Sequence, residues 1–397
     1  ATAFAEAARQ RLVAFAGDEA REPAETGLVL DPPAGVRTAL LRTRAEARAL
    51  QGDLAGARED LRAALVSTPR GPERTRTLIR VSDLTQALDD YAQAAEVIEV
   101  ALTEAGGDDA VRAEALTLAA FFDVNRMELD RAEARATAAQ ATFEQLGEPA
   151  GVASVVGLRG LVELFRGRLV EAADLYGRAG RLYRDSGRLL KVGTMRAMQG
   201  WLLMLNGRAE EGLSELQGAL ELERALGHTE GEAYCLSIRG EVLCGLGRLE
   251  EAERDALTAV ELCRALGNRE WISVALKVLA ACRRAGRDLD GAKAALREAM
   301  EVAAGIPAQD QWNAAHLASV LMEEGDVETA ERYAQEGREG GFAVAHFEAG
   351  LVLAEVALAR GDPEGPRLAA EALHATEAAG YRCSPARRRL EAKVLTS

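Results

Sequence analysis

The hydrophobic and polar positions of residues 229–267 follow two consecutive helical patterns. Small and apolar residues recur at spacings of three and four, which predicts a first helix over about 230–246. The pair Gly247-Arg248 interrupts this pattern, and a second apolar stripe over 249–266 ends just before Gly267. A glycine directly after the last turn is a common end of a helix. The segment is therefore predicted to form two antiparallel helices.

The same unit recurs along the chain. The segments GRLVEA, GRAEEG and GRLEEA begin at Gly167, Gly207 and Gly247, each 40 residues after the one before. Related segments begin at Gly52, Asp89, Met127, Arg287, Gly325 and Gly361. A fixed period of this length is typical of a solenoid, in which each repeat packs on its neighbours. The chain is therefore predicted to be a helical array without separate globular cores.

Three positions in each unit carry small residues, which indicates that the paired helices cross closely. Seven residues before the turn stand Ala45, Ser82, Ala120, Gly160, Gly200, Gly240, Ala280, Ala318 and Ala354. Five residues after it stand Ala57, Ala94, Ala132, Ala172, Gly212, Ala252, Ala292 and Ala330, with Pro366 as the exception. Twelve residues after it stand Ala64, Ala101, Ala139, Ala179, Ala219, Ala259, Ala299 and Gly337, with Leu373 as the exception. We interpret Pro366 and Leu373 as marks of a terminal cap.

This arrangement resembles the tetratricopeptide repeat, although the unit here has about 40 residues and the standard one has 34. The resemblance covers residues 36–395 and implies an all-α, right-handed α-solenoid of about nine antiparallel helix pairs. The amino-acid sequences of residues 219–240 and 259–280 resemble those of two groups of proteins. One group is the C-terminal sensor arms of signal-transduction ATPases and of MalT- and LuxR-type bacterial regulators. The other is the peptide-binding adaptors with long repeats.

Residues 1–35 differ from the array over residues 36–397. A helix is predicted over residues 2–16, with an apolar face formed by Phe4, Leu12, Val13 and Phe15. A loop is predicted after it, because prolines and glycines are dense at Pro23, Gly27, Pro32, Pro33 and Gly35. The helix is either half of a truncated repeat that caps the array or the end of a linker, and we favour the cap. Because the chain starts inside a helical pattern, we expect it to be a piece of a longer polypeptide.

The charge and cysteine content restrict the partners and the compartment. The formal net charge is −15 with a pI near 5.0, and the two signs are interspersed. Direct nucleic-acid binding is therefore not expected, since it needs clustered Lys and Arg. No signal peptide is visible in the given sequence, and no apolar run approaches about 18 residues. The five cysteines are odd in number and form no CxxC. We therefore predict a cytoplasmic protein that does not bind membranes.

No motif for catalysis, for a metal or for a cofactor is visible in the sequence. No two of the four histidines lie within five residues of each other, so no HExxH pair exists. The chain has no GxxxxGK[ST] and no GxSxG. Acidic pairs such as Glu250-Glu251 fall in the first turn of a predicted helix, where they favour the helix dipole. The sequence therefore predicts a binding module and not an enzyme.

The resemblance places the first helix of each pair along a concave groove. Aromatic and cationic residues in such a groove are typical binding anchors, although some of them fill space between the long helices. The predicted site consists of Phe121, Arg159, Phe165, Arg196, Trp201, Met204, Tyr234, Glu241, Lys277, Arg284 and Trp312. We expect Trp201, near the middle of the array, to be a surface anchor.

Two further arginines occupy positions that are usually apolar. Arg159 and Arg239 each precede a small residue of the helix crossing. They either pair with Glu163, Glu232 or Glu241 inside the array or form a cationic stripe for an acidic ligand. A buried pair is favoured, because an unpaired buried guanidinium is costly.

The sequence thus favours a non-catalytic interaction module, the arm of a cytoplasmic bacterial signalling or transcriptional regulator. It would bind a protein, a peptide or a small effector and pass that state to ATPase or DNA-binding domains. The alternative is a free-standing scaffold that holds an extended peptide of a partner protein. The sequence leaves homo-oligomer formation open.

Overall fold

The computed structural model describes residues 1–13, 17–88 and 90–396, which form 21 α-helices and no strand. The helices are α1 (Thr2–Val13), α2 (Gly17–Val29), α3 (Ala34–Leu50), α4 (Leu54–Ser67), α5 (Pro72–Ala87), α6 (Tyr91–Glu104), α7 (Asp109–Asn125), α8 (Leu129–Leu146), α9 (Pro149–Phe165), α10 (Leu169–Asp185), α11 (Leu189–Leu205), α12 (Ala209–Ala225), α13 (Thr229–Gly245), α14 (Leu249–Leu266), α15 (Arg269–Ala285), α16 (Leu289–Ala303), α17 (Pro307–Glu324), α18 (Val327–Arg338), α19 (Ala343–Ala359), α20 (Gly365–Ala379) and α21 (Pro385–Thr396). Within these ranges, no helix combines the length and the apolarity that crossing a bilayer requires.

The chain forms two compact units, Ala1–Gly151 and Val152–Ser397. The first unit contains the pairs α1/α2 to α7/α8, and the second contains α9/α10 to α19/α20 followed by α21. The two helices of a pair pack on each other, for example α11 on α12, α13 on α14 and α15 on α16. The nine predicted pairs correspond to α3–α20, and the all-α solenoid is confirmed.

In eight of the pairs, from α3/α4 to α19/α20 without α5/α6, the turn contains a residue with left-handed backbone conformation. Gly247 separates α13 from α14 with φ +76°, close to the predicted break. Two units have a larger residue at the equivalent position, Met127 with φ 61° and Arg287 with φ 70°. An L-residue with a Cβ is strained in this region, because the Cβ approaches its own carbonyl group.

The small residues lie where the paired helices cross. A Cβ added to Gly200 of α11 would lie 2.8 Å from the carbonyl oxygen of Gly212 in α12. A Cβ added to Gly240 would lie 3.1 Å from the carbonyl oxygen of Ala252. The two backbones are thus in direct contact, which explains why the pattern admits only small side chains at these positions.

In the last pair, Pro366 and Leu373 occupy positions that are small in the other repeats. The reason is the length of the turn and not a role of this pair as a terminal cap. Helix α20 begins four residues after Gly361, whereas α14 begins two residues after Gly247. The turn is thus two residues longer, and the small buried positions of α20 are Ala369 and Thr376, three residues after Pro366 and Leu373. Helix α21 also follows α20, so α20 does not end the array.

The predicted loop near the N-terminus is wrong, because Pro23 and Gly27 lie inside helix α2. Ala24 of α2 packs in a small core with Ala8 and Leu40, and a Cβ on Gly27 would collide with the side chain of Leu40. This packing against α3 outweighs the weak helix propensity of the two residues. The predicted apolar residue Phe15 lies outside the described residues, as do the side chains of Leu12 and Val13. The domain boundary at residue 35 stays a prediction.

The second unit also buries contacts between helices that are far apart in sequence. We call the side of this unit formed by α9, α11, α13 and α15 its inner side. Trp312 of α17 lies against Trp201 of α11, with ring centroids 5.4 Å apart. The Arg382 backbone amide, after α20, donates a hydrogen bond of 2.8 Å to the Leu205 carbonyl at the end of α11. The C-terminal segments therefore cover much of the inner side.

We predict that Gly200→Ala lowers the free energy of unfolding by ~1–3 kcal/mol, since the added methyl group must push the two helices apart. The matched control is Gly350→Ala in α19, where an added Cβ would meet nothing within 4 Å. That variant should be more stable by ~0.5–1 kcal/mol, because glycine weakens a helix interior. Urea denaturation of both variants measures the difference. Equal stability of the two would contradict the close crossing.

At the strained turn, Arg287→Gly should be more stable than Arg287→Ala by ~1 kcal/mol. Both variants remove the same charge, and only alanine retains the Cβ at φ 70°. Conversely, Gly247→Ala should lose ~1 kcal/mol although its methyl group meets no neighbour within 4 Å. Urea denaturation again gives the result. If Arg287→Ala matches Arg287→Gly, the left-handed conformation of this turn is not a source of strain.

Candidate functional site

A cavity of about 280 Å³ lies on the inner side of the second unit. Its volume is at the lower end of the ~300–1,000 Å³ that is usual for small-molecule sites. The cavity reaches solvent at Arg287 and Arg388, which are exposed. Its polar and aromatic lining comprises Glu241, Cys244, Lys277, Arg284, Trp312, His316, Glu323, Tyr381 and Cys383, with Met204 among its apolar residues.

The 40-residue period places several of these side chains in a row. Met204, Cys244 and Arg284 each stand three residues before the turn of their repeat, on α11, α13 and α15. Because consecutive repeats stack in the same orientation, equivalent positions face the same side. The row therefore forms one wall of the cavity, and α17 and the segment around α21 supply the opposite wall.

Lys277 is the most deeply buried cation of the site, with 2% of its surface exposed. Its Nζ lies 2.7 Å from the centroid of the Trp312 ring and 3.8 Å from a carboxylate oxygen of Glu241. It forms no hydrogen bond within the described residues. Burial lowers the pKa of Lys277 to about 8, and the nearby Glu241 carboxylate only partly opposes this effect.

Arg284 is also buried, but it has hydrogen-bond partners for two of its nitrogens. Its Nε donates a hydrogen bond of 2.6 Å to Glu323, and its guanidinium also contacts the Ser319 carbonyl at 3.3 Å. Burial lowers the pKa of Arg284, and neighbouring Arg389 adds to the effect. A guanidinium nevertheless keeps its charge at neutral pH. Arg284 is therefore a fixed cation in the cavity wall.

The cavity is positively charged although the whole chain has a net charge of −15. Its lining carries the cations Lys277, Arg284, Arg287 and Arg388 and the carboxylates Glu241 and Glu323. Burial, followed by the charge of Lys277, lowers the pKa of His316 to about 3, so this imidazole is neutral at physiological pH. The lining thus favours a ligand with negative charge.

Three of the five free cysteines lie near this site. Cys244 and Cys383 line the cavity, and a hydrogen bond with Cys282 lowers the pKa of Cys244. Burial raises the pKa of the Cys383 thiol. Among the residues that the structure describes, no group of three or more metal-ligating side chains is arranged to hold a metal ion.

The structure brings together only part of the predicted site. Met204, Glu241, Lys277, Arg284 and Trp312 line the cavity. Phe121 belongs to the first unit, where it packs against Phe122. Phe165 is half-buried against Phe342, Arg196 pairs with Glu215 at 2.7 Å, and Arg159 is half-buried on α9.

Trp201 and Tyr234 are core residues, so the expectation that Trp201 is a surface anchor is wrong. Trp201 is 4% exposed and lies behind Trp312. Tyr234 packs on Trp271 with ring centroids 4.5 Å apart, and its hydroxyl donates to the sulfur of Met198. Helix α17 covers the Trp201 ring, whereas Tyr234 is covered by its neighbours in α11 and α15.

The arginine of the α13 crossing forms the expected ion pair, but with another acid. Arg239 donates two hydrogen bonds of 2.7 and 2.8 Å to Asp255 on α14, the partner helix of the same pair. The predicted partner Glu232 instead accepts from Arg224, and Glu163 pairs with Arg166 and Arg168. The interpretation as a buried pair is therefore correct for Arg239.

The sequence did not predict the second wall of the cavity, which the C-terminal part of the chain supplies. This wall contains His316, Glu323, Tyr381, Cys383 and Arg388. These residues lie between 32 and 184 positions from Met204, Lys277 and Arg284. The only local signal was the run of three arginines at 387–389 in a short C-terminal helix. That signal does not reveal which earlier helices the arginines approach.

We predict that Lys277→Met stabilises the protein at pH 7 and that this advantage decreases as the pH rises. The pKa of Lys277 is about 8 in the folded chain and 10.5 for an ordinary lysine. Between these values the unfolded chain binds more protons, so wild-type stability rises with pH by up to ~1.4 kcal/mol per pH unit relative to the variant. Urea denaturation at pH 7, 8, 9 and 10 measures the difference.

The control for this pH series is Lys293→Met. Hydrogen bonds with Glu324 and Asp290 raise the pKa of Lys293, so its contribution is constant up to the ordinary lysine pKa. A stability difference between wild type and Lys277→Met that does not change with pH would show that Lys277 is not desolvated.

The sequence and the fold were compared with known proteins. The family profile of the tetratricopeptide repeat matches residues 232–304. No sequence among curated proteins is significantly similar to the chain. A signal transduction ATPase with numerous domains from Pyrococcus horikoshii, which has a tetratricopeptide repeat sensor, is similar in structure with a TM-score of 0.52 and 16% identity. The similarity covers 87% of this chain and 54% of that one, so the chain spans about half the length of that protein.

Two further solved structures share the fold. A Rap protein in complex with Competence and Sporulation Factor has a TM-score of 0.57 and 15% identity, over 82% of this chain and 97% of the Rap protein. The apo form of RapI has a TM-score of 0.50 and 13% identity, over 70% of this chain and 98% of RapI. The repeat profile therefore assigns residues 232–304 to the tetratricopeptide repeat, and the similar structures show that the chain has a tetratricopeptide-like helical-repeat fold.

Proposed function

We propose that the chain is the ligand-sensing module of a cytoplasmic bacterial regulator. Its cavity would bind a small acidic effector or the acidic end of a peptide partner, without catalysis. The observation that carries this proposal is the convergence of Lys277, Arg284 and Arg388 on one cavity of an acidic protein. Cations that are held by the fold before the ligand arrives bind an anion without a large ordering cost.

The shape of the second unit supports a small ligand over an extended peptide. Helix α17 and the C-terminal segments occupy the inner side, and Trp201 and Tyr234 are buried there. The remaining space of about 280 Å³ accommodates a small molecule or a few atoms of a peptide end. A long peptide would first have to displace part of this packing.

The similarity to the sensor of a signal transduction ATPase supports the place of this module in a larger regulator. In such a regulator, ligand binding would change how the module contacts nucleotide-binding or DNA-binding domains of the same polypeptide. The test is the full coding sequence around this segment. A nucleotide-binding or helix-turn-helix segment in it supports a regulator, and a coding sequence with no further domain contradicts this part of the proposal.

A free-standing scaffold is the second candidate. It is supported by the Rap protein solved with Competence and Sporulation Factor, because the similarity includes 97% of that chain. An array of this size can thus make up nearly a whole protein that binds a signalling factor. In that case a peptide partner, and not a small effector, would be the natural ligand.

We predict that at least one ligand from a panel of di- and tricarboxylates and short acidic peptides raises the melting temperature of the wild-type protein. Arg388→Gln should then weaken the affinity at least ~10-fold, because a hydrogen bond to a charged group contributes ~1.5–3 kcal/mol. Isothermal titration calorimetry measures the affinity. Arg388 is suited to this test because it is exposed at the cavity mouth, so its replacement should not disturb the fold.

The control is Arg382→Gln. Arg382 is exposed and pairs with Glu377 at 2.8 Å, and it is not part of the cavity lining. The affinity of this variant should equal that of the wild type. If no acidic ligand binds, or if Arg382→Gln weakens binding as much as Arg388→Gln does, the cavity is not the ligand site.

A further inference from the structure

We propose that Lys277 is an attachment point for a carbonyl ligand. Its amine would condense reversibly with a small aldehyde or ketone that carries an acidic group, such as a 2-oxo acid. The inference rests on the proposed role of the cavity as a ligand site and assigns the chemical class of the ligand. Arg388 and Arg284 would hold the acidic group while the carbonyl carbon faces Lys277.

The environment of Lys277 differs from that of the paired arginines in the same unit. Arg284, Arg239 and Arg389 contact a carboxylate at 2.6, 2.7 and 2.6 Å. The carboxylate of Glu241 lies 3.8 Å from the amine of Lys277, which is too far for a hydrogen bond. A buried amine without a hydrogen bond is costly, and an apolar side chain would fill the same space at lower cost. Its presence in a cavity wall therefore points to a ligand.

The amine has the protonation state that this chemistry requires. Only a neutral amine attacks a carbonyl carbon, and desolvation in an apolar pocket is a known way to obtain one. With the pKa of Lys277 at about 8, roughly a quarter of the molecules carry the neutral amine at pH 7.5. An ordinary lysine is neutral in about one molecule per thousand at that pH.

The neighbours of Lys277 suit both steps of the condensation. In the first step, the nitrogen lone pair forms a C–N bond with the carbonyl carbon. Glu241 then accepts one proton from the nitrogen and delivers it to the former carbonyl oxygen, which gives a carbinolamine. In the second step, Glu241 accepts the remaining nitrogen proton and delivers it to the hydroxyl group, which leaves as water while the C=N bond of a neutral imine forms. The reaction consumes one amine and one carbonyl, releases one water and needs no oxidant or reductant.

The product would also be held by existing contacts. Protonation of the imine gives a cation at the position of Nζ, between the face of Trp312 and the carboxylate of Glu241. The electron-rich face of an indole ring attracts such a cation. The neutral His316 ring lies beside Trp312, with centroids 6.0 Å apart, and adds no opposing charge.

The chain contains its own reference amines, because Lys191, Lys277, Lys293 and Lys393 are its only lysines. Lys191 is exposed on α11. Lys293 contacts Glu324 at 2.7 Å and Asp290 at 3.0 Å, and Lys393 contacts Glu355 at 3.3 Å. Labelling of the wild-type protein therefore compares four lysines in one sample, independently of whether any variant folds.

The experiment is trapping with glyoxylate and sodium cyanoborohydride at pH 7.5, followed by peptide mapping with mass spectrometry. We expect Lys277 to be labelled at least tenfold faster than the other three lysines. Lys277→Arg should abolish the fast label, whereas Lys191→Arg should leave it unchanged. Arg388→Gln should slow labelling by glyoxylate at least fivefold and leave labelling by glycolaldehyde, which has no acidic group, unchanged.

The outcomes separate this inference from the proposed function. The second measurement is binding of glycolate, which has the acidic group of glyoxylate but no carbonyl. If glycolate and glyoxylate bind equally and Arg388→Gln abolishes both, while Lys277 is labelled no faster than Lys191, the cavity is an anion site and the covalent attachment is wrong. If neither compound binds and no lysine is labelled preferentially, the covalent attachment is wrong, and the proposed anion site is wrong as well if the panel of acidic ligands also fails to bind.

Discussion

The close crossing of the two helices in each pair is the constraint on which the rest of the structure depends. At Gly200 and Gly212 the two backbones touch, and the equivalent positions of the other repeats are occupied by alanine, serine or glycine, with Pro366 as the exception. Because the contact leaves no room for a larger side chain, each pair has one favoured geometry. Stacking the pairs then brings residues that are 40 positions apart onto the same side, as for Met204, Cys244 and Arg284.

In the second unit, helices of distant repeats also pack on each other, which the stacking of neighbouring repeats alone does not require. Trp312 lies against Trp201, and the segment after α20 binds to the end of α11. These contacts convert an inner side that could be an open groove into a core that contains a small cavity. The same packing explains why Trp201, which resembles a binding anchor in the sequence, is structural here.

The buried cations around that cavity differ in how well neighbouring carboxylates compensate their charge. Arg284 and Arg239 are compensated by carboxylates at hydrogen-bond distance, whereas Lys277 has only the face of Trp312 and a distant Glu241. A fold selected for stability alone would replace such a lysine by an apolar residue. The uncompensated amine is therefore the feature that most clearly separates a ligand site from a structural cluster, and both proposals make use of it.

The sequence by itself determined the features that depend on neighbouring residues. The α13 and α14 boundaries, the turn at Gly247 and the small residues of the helix crossings follow from periodicity within about 20 residues. The repeat also assigns Lys277 and Arg284 to first helices of their pairs, and both line the cavity of the folded unit. It failed at α2, where packing on Leu40 keeps Pro23 and Gly27 helical.

The tertiary structure alone decided which residues meet across the inner side. The contacts of Trp201 with Trp312, and the approach of Arg388 to the cavity, join segments that are 111 and more positions apart. Such contacts depend on the small rotation between successive helix pairs, summed over several repeats. The rotation accumulated over several repeats cannot be read from any single residue. For this reason the sequence predicts the repeats and one wall of the cavity, and only the folded unit supplies the other wall.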